Sequence, residues 1–293
     1  MTSIDVAQAT SLSQAIALLN SPGTRALPLG GGTDLLVMMR SQGAWFDRLV
    51  DVTRVPELLT VTEDAGEFRI GAAVTFAQAA ANPLLAAAVP LLVQACLSVG
   101  SPQIRNVGTL GGNIANAAAC ADTLPPLVAL GATARIAGPD GERTAPVGDL
   151  VVAPHHTALR AGELIVSFNF PRPPAGAASA FVKLGRRNAQ AIARLSIAAL
   201  GRIDADGCID FMRLAPGAAI PASARMLAAE QALLGHAPSP TLFAAAGACV
   251  AEAMIARTGR RWSTEYKEVA IQGLVELALS RVFGVAPVRE EPV

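Results

Sequence analysis

Apolar residues recur at helical spacing over residues 11–19, where Leu12, Ala15, Ile16 and Leu19 share one side and Ser11 suits an N-cap. Ser21-Pro22-Gly23 ends that helix, and residues 26–29 read as a short apolar strand running straight into Gly30-Gly31-Gly32. A helix is expected to start over 35–40. Strands are expected at 49–52 and, after the turn at Ala65-Gly66, at 68–72. Two short buried helices follow, over 76–81 and 90–98. The stretch 133–137 with the turn Gly138-Pro139-Asp140-Gly141-Glu142 predicts a hairpin, and a strand at 163–168 is stopped by Pro171, Pro173 and Pro174. Beyond Gly176, strands at 180–184, 196–203 and 209–214 give way to helices over 224–234, 242–256 and 263–282. Strands followed by helices in each half indicate an α+β protein with segregated layers, and no alternating βαβα pattern is read.

Composition narrows the partners. The chain has 293 residues, enough for two or three compact units. Net charge is zero and charged residues make up only 16%, which argues against a nucleic-acid binder. So low a charge fraction fits either burial against other subunits or a merely alanine-rich chain. No charged residue lies between Arg69 and Arg105, yet Gln78, Asn82, Pro83, Pro90 and Gln94 break any stretch long enough to span a membrane. The N-terminus shows no signal-peptide pattern, so a cytoplasmic location is expected. Cys96, Cys120, Cys208 and Cys249 are dispersed, which disfavours a disulfide framework, an iron–sulfur cluster or a structural zinc within this chain. His155-His156 lacks a nearby ligand partner in sequence and reads as a surface loop. The mixed face of the last helix, with Glu265, Lys267, Glu268 and Glu276, reads as solvated.

Two glycine-rich segments carry the chemistry. The first is Pro28-Leu29-Gly30-Gly31-Gly32-Thr33-Asp34-Leu35; the second runs from Asn106 through Thr109-Leu110-Gly111-Gly112-Asn113 to Asn116 and on to Asp122. Glycine admits positive φ and close backbone approach, so successive amides can face an anion. A Walker loop fails because Thr33 stands where lysine is required, and the dinucleotide G-x-G-x-x-G spacing is absent. A plain glycine turn remains open for the first segment alone. With the second segment, a long ligand with a central diphosphate is the better reading, so that Gly31→Val or Gly112→Val is expected to cost binding more than stability.

These two motifs, with Gln103-Ile104-Arg105 before the second and Phe181-Val182-Lys183-Leu184-Gly185-Arg186-Arg187 later, resemble the FAD-binding medium subunits of the molybdenum hydroxylases, the group of xanthine dehydrogenase and carbon monoxide dehydrogenase. Arg225, Ala228-Ala229-Glu230, Leu233-Leu234-Gly235 and Thr264-Glu265-Tyr266-Lys267 support the likeness. The resemblance implies a vanillyl-alcohol-oxidase (PCMH)-type FAD-binding domain in two subdomains, 1–57 and 58–175. A C-terminal α+β domain over 176–287 and a tail over 288–293 would follow. It implies that residues 28–35 and 109–113 hold the diphosphate and adjoining groups, that Val99 lies near the flavin or its linker, and that Asp122 reaches the adenosine end. Ile165 and Lys183 would complete the pocket. Residues 188–191 fall where the family places a loop beside the isoalloxazine; Gln190 and Ala191 depart from the aspartate or tyrosine found there in some members.

The same resemblance implies a division of labour. FAD in this chain would take electrons from [2Fe–2S] clusters in a small subunit and pass them to an external acceptor. The molybdenum cofactor would sit in a large molybdopterin subunit, within a dimer of heterotrimers. No catalytic and no metal-ligating residue is then expected here. A self-contained FAD oxidoreductase and a non-catalytic nucleotide-binding scaffold are the alternatives.

Overall fold

In the computed structural model, which describes residues 4–187 and 189–286, the chain gathers into two compact units. The first takes the chain up to residue 81, then 101–118 and 131–172; the second takes 82–100, 119–130 and everything described from 173 onward. The expected tail, 288–293, lies outside the described residues.

The chain opens with β1 (Asp5–Gln8), α1 (Leu12–Leu19), β2 (Ala26–Leu29), α2 (Leu35–Gln42) and β3 (Arg48–Asp51). Ser11 caps α1 by accepting from the Gln14 amide at 3.2 Å. The strands pair in parallel in the order β1-β3-β2. This corrects the expectation that βαβ alternation is missing: the opening segment is such a unit. It escaped notice because β1 is only four residues, mostly exposed, with no clean apolar alternation.

Next come β4 (Val61–Asp64), β5 (Glu67–Gly71) and α3 (Phe76–Ala81). Helices α4 (Pro83–Ala88) and α5 (Pro90–Ser98) belong to the second unit, and α6 (Pro102–Val107) and α7 (Leu110–Asn116) return to the first. After α8 (Leu124–Ala129), in the second unit, the first is completed by β6 (Thr133–Gly138), β7 (Gly141–Pro146), α9 (Val147–Leu150), β8 (Val151–Ala153), β9 (His156–Thr157) and β10 (Leu164–Pro171). Four of the helices the sequence reading omitted, α4, α5's neighbour α6, α7 and α8, are only six or seven residues long. Two of them, α4 and α6, begin on proline, and α8 carries Pro125 at its second position; proline's fixed φ and missing N–H suit a first turn.

The main sheet of the first unit has the order β4-β5-β10-β6-β7, antiparallel throughout. Central β10 is almost wholly buried, and its Phe170 stacks on Phe68 of β5 with ring centroids 5.4 Å apart. Val50, Val52, Leu58, Leu164 and Val166 pack with Ala15 and Leu19 of α1 into one core.

The second unit is built on the antiparallel sheet of β11 (Ala178–Leu184), β12 (Leu195–Ile203) and β13 (Ile209–Gly217). Helices α10 (Leu227–Leu233), α11 (Pro240–Thr258) and α12 (Thr264–Phe283) share its core, where Ile197, Leu214, Phe243, Val250, Val275 and Leu279 are buried. Helix α11 is long and apolar enough to cross a membrane by length and composition, but its Phe243, Ala246, Val250 and Met254 are buried in this core. Glu230 ties helix to sheet: nearly fully buried, it accepts from the Leu214 amide at 2.8 Å and from the Arg225 guanidinium.

Glu230→Ala strands the Leu214 amide and one face of Arg225. It is expected to lower stability in urea unfolding by about 2 kcal/mol. A loss below about 0.5 kcal/mol, the range of ordinary surface changes, would contradict this role for Glu230.

Candidate functional site

The first glycine segment sits between β2 and α2, as the strand, glycine turn, helix order predicted. Gly32 takes φ +67°, and Asp34 stands at the N-cap of α2 without a side-chain cap bond. The amides of Gly30, Gly31, Gly32 and Thr33 have no acceptor among the described residues. Open amides of this kind are what a backbone anion site requires.

The second segment is built differently. It is helix, not loop: Thr109 caps α7, its Oγ1 accepting from the Gly112 amide at 3.0 Å. The Leu110 amide donates to the Val74 carbonyl at 3.0 Å, Gly111 to Ala72 at 2.8 Å and Asn113 to Thr109 at 3.0 Å. The amides from 110 to 113 are thus consumed by the chain's own backbone and cap. Leu110 itself is fully buried.

The two segments converge. A Cβ on Gly31 would lie 2.0 Å from the Val107 carbonyl oxygen, and one on Gly30 would lie 2.9 Å from Thr109 Oγ1. A Cβ on Gly111 would meet Ala72 at 2.7 Å. Part of the glycine content therefore serves contact between stretches of this chain rather than room for a ligand.

Beside this contact lies a cleft of about 490 Å³, counting its solvent-open mouth. The expected site residues Pro28, Gly30, Thr109, Gly111, Gly112 and Ile165 line it. Val52, Leu58, Ala72, Ala73, Ala115, Leu159, Glu163 and Leu164 also line it, and sequence reading missed them. Their sequence signal was position alone: most of them lie beside a strand end, and Ala115 lies within the second glycine segment. Leu29, Gly31, Gly32, Thr33, Asp34, Leu35, Leu110 and Asn113 are not among the lining residues. Glu163 is the one ionisable side chain lining the cleft among the described residues. Its oxygens accept from Arg143 Nε and Nη2, each at 2.7 Å, and from the Arg160 amide at 2.7 Å. The Arg143 guanidinium holds Glu163 below the usual carboxylate range.

The other expected contacts, Val99, Asp122 and Lys183, belong to the second unit. Lys183 Nζ lies 2.6 Å from Asp122 Oδ2 and donates to the Ser98 carbonyl, next to Val99, at 3.0 Å. Asp122 Oδ1 is buried with no hydrogen-bond partner among the described residues. A buried acceptor left open in this way calls for a further donor. Burial pushes the Asp122 carboxyl up to about 6, against the opposing pull of Lys183, and burial with Asp122 nearby pushes the Cys96 thiol up to about 12. Cys96 is therefore an inert core residue.

His155, at φ +60°, places Nδ1 3.2 Å from the Asn116 carbonyl, and His156 places Nδ1 2.9 Å from the Pro154 carbonyl. Arg187 folds back on the Gln190 carbonyl at 2.7 Å. The loop expected beside an isoalloxazine includes Asn188, which lies outside the described residues.

Gly31→Ala is expected to lower stability and cofactor affinity together, because the new methyl group strikes backbone. Gly112→Ala meets only the Thr109 hydroxyl at 2.9 Å and should be much milder in thermal unfolding. Equal losses would show that the loop contact is not decisive. Asp122 makes a separate prediction. Its folded pKa exceeds the unfolded value, so the folded state binds the extra proton and stability falls as pH rises from about 4 to about 6. Asp122→Asn should remove that slope from the cofactor-free protein; an unchanged slope assigns it elsewhere.

Residues 2–173 match the family of the FAD binding domain in molybdopterin dehydrogenase, and residues 179–282 match the CO dehydrogenase flavoprotein C-terminal domain. The xanthine dehydrogenase FAD-binding subunit of Escherichia coli O157:H7 is 33% identical over 282 residues, 95% of this chain and 96% of that one. The carbon monoxide dehydrogenase medium chain of Hydrogenophaga pseudoflava is 31% identical over 92% of this chain and 93% of its own length. A solved structure of carbon monoxide dehydrogenase from the same organism, lacking the Mo-pyranopterin moiety of its cofactor, superposes with a TM-score of 0.89 at 29% identity, covering 96% of this chain and 97% of that chain. Quinoline 2-oxidoreductase from Pseudomonas putida 86 superposes equally well, at 0.89 and 26% identity, over 96% and 97%. The chain belongs to the molybdopterin dehydrogenase FAD-binding family, as a flavoprotein subunit of the medium type found in the molybdenum hydroxylases.

Proposed function

We propose that this chain is the electron-transfer subunit of a heterotrimeric molybdenum hydroxylase. It would receive electrons from the [2Fe–2S] clusters of a small subunit and deliver them to an external acceptor. A large molybdopterin subunit would carry out substrate hydroxylation, in a cytoplasmic dimer of heterotrimers. The observation that carries the reading is the amide run of Gly30 to Thr33, without an acceptor among the described residues, beside a cleft that Gly30 lines with Thr109, Gly112 and Ile165. When bound, FAD supplies the exchange between one-electron donors and the acceptor; the protein's part is to hold and tune it.

The residues divide that work. The amides of 30–33 take up diphosphate charge, and Thr33, Asp34 and Leu35 fix the turn into α2. Thr109 Oγ1 accepts from Gly112, which leaves its own O–H to donate into the cleft. Leu110 and Asn113 anchor the wall that Gly111 and Gly112 present. In the second unit, Asp122 Oδ1 accepts from a hydroxyl or N–H of the adenosine end while Lys183 keeps the carboxylate charged; Val99 adds packing. We assign the flavin-binding subdomains to 1–57 and 58–175 and the C-terminal domain to 176–287, in keeping with the separate sheets β1-β3-β2, β4-β5-β10-β6-β7 and β11-β12-β13.

The purified chain should be yellow and release free flavin on denaturation. A folded chain left colourless by saturating FAD refutes the proposal. Because a donor to Asp122 Oδ1 favours the carboxylate, FAD affinity should rise with pH through about 6 and lose this dependence in Asp122→Asn, as read by flavin fluorescence titration. Turnover of a substrate by the chain alone would point instead to a self-contained flavoenzyme.

A further inference from the structure

The last helix has two apolar sides. Ile271, Val275, Ala278 and Val282 are buried in the core of the second unit. Tyr266 and Val269 share the opposite side, and Trp262, four residues before Tyr266, continues the same line ahead of the helix. These three are 96% (Trp262), 49% (Tyr266) and 60% (Val269) exposed. A single exposed apolar residue is ordinary, but an aligned set that includes a bare indole is not.

Cations border this stripe. The Arg194 guanidinium lies 5.7 Å from the centre of the Tyr266 ring. Lys267 is fixed by donation to the Ala218 carbonyl at 2.9 Å, and Arg261 by donation to the Thr258 carbonyl at 3.0 Å. Burial, then Arg261 and Arg194, lower the Lys267 pKa, so the three positive charges act on one another. Among the described residues none of the three has a carboxylate at ion-pair distance, whereas neighbouring Arg260 is paired with Glu268 at 3.1 Å. The chain as a whole is neutral, so this excess is local.

We infer that this side of α12 docks another protein subunit of the same complex, one offering an apolar recess for the Trp262 indole rimmed by carboxylates. The inference rests on reading the chain as one subunit of a larger enzyme. Trp, Tyr and Arg are the residues that dominate binding energy at protein interfaces. The cations fix the partner's chemistry, because covering them with apolar surface would bury unpaired charge. A second copy fits poorly: a two-fold contact would set this patch against itself, cation on cation.

The test uses the complex recovered through a tag on this chain, co-produced with its partner subunits as wild type, Trp262→Ala or Arg261→Glu. Each variant is expected to keep its FAD and melting temperature yet to lose a partner subunit on dilution at a concentration at least about tenfold higher than wild type, read by mass photometry. The wild-type complex should also loosen with salt. Variants that assemble like wild type overturn the docking site while leaving the subunit reading intact. So does self-association of the wild-type chain that Trp262→Ala abolishes. A wild-type chain recovered without partner subunits overturns both.

Discussion

A side chain at position 31 and the carbonyl of Val107 cannot share the space between them. That close approach holds two stretches of chain, far apart in sequence, against each other beside one cleft. It makes the turn after β2 and the end of α6 a single mechanical element. Gly30, Thr109 and Gly112, which line the cleft, flank this contact. The glycines are thus as much a joint as a cradle.

The polar groups around the cleft follow an uneven division. One segment leaves its amides open, while the other spends its own on Val74, Ala72 and Thr109. An anion site needs open donors held by a stiff support, and one segment supplies each. In the second unit, by itself, Asp122 is an acceptor with one oxygen paired to Lys183 and the other without a partner among the described residues. Fixed, unsatisfied groups of this kind are what a bound cofactor needs, since they pay no reorganisation when it arrives.

Much of this was legible in the sequence. The glycine segments, the strand entering the first of them, the hairpin turn at 138–142 and the three long elements of the C-terminal sheet follow from turn chemistry and periodicity. The parallel opening sheet was not legible, because β1 pairs through backbone with little apolar pattern of its own. Nor was the helical nature of the second segment, where Gly111 and Gly112 oppose helix formation and tertiary contact with Ala72 overrides them. Glu163 was missed because its partners Arg143 and Arg160 give no local motif. The outward stripe on α12 was hidden for another reason: interleaved charges at 265, 267 and 268 make the helix read as simply wet.

The interleaving of the two units has a consequence for how the protein is made. The chain passes between them five times, at 81/82, 100/101, 118/119, 130/131 and 172/173. A ribosome therefore releases α5 and α8 long before β11, β12 and β13 exist to receive them. Leu91, Leu92 and Leu127, fully buried in the finished protein, must wait in the open until then. So must Asp122, whose Lys183 arrives sixty-one residues later. The second unit therefore cannot close its core until its sheet has been made, and a chain cut between the two family matches would carry α5 and α8 without the strands they pack on.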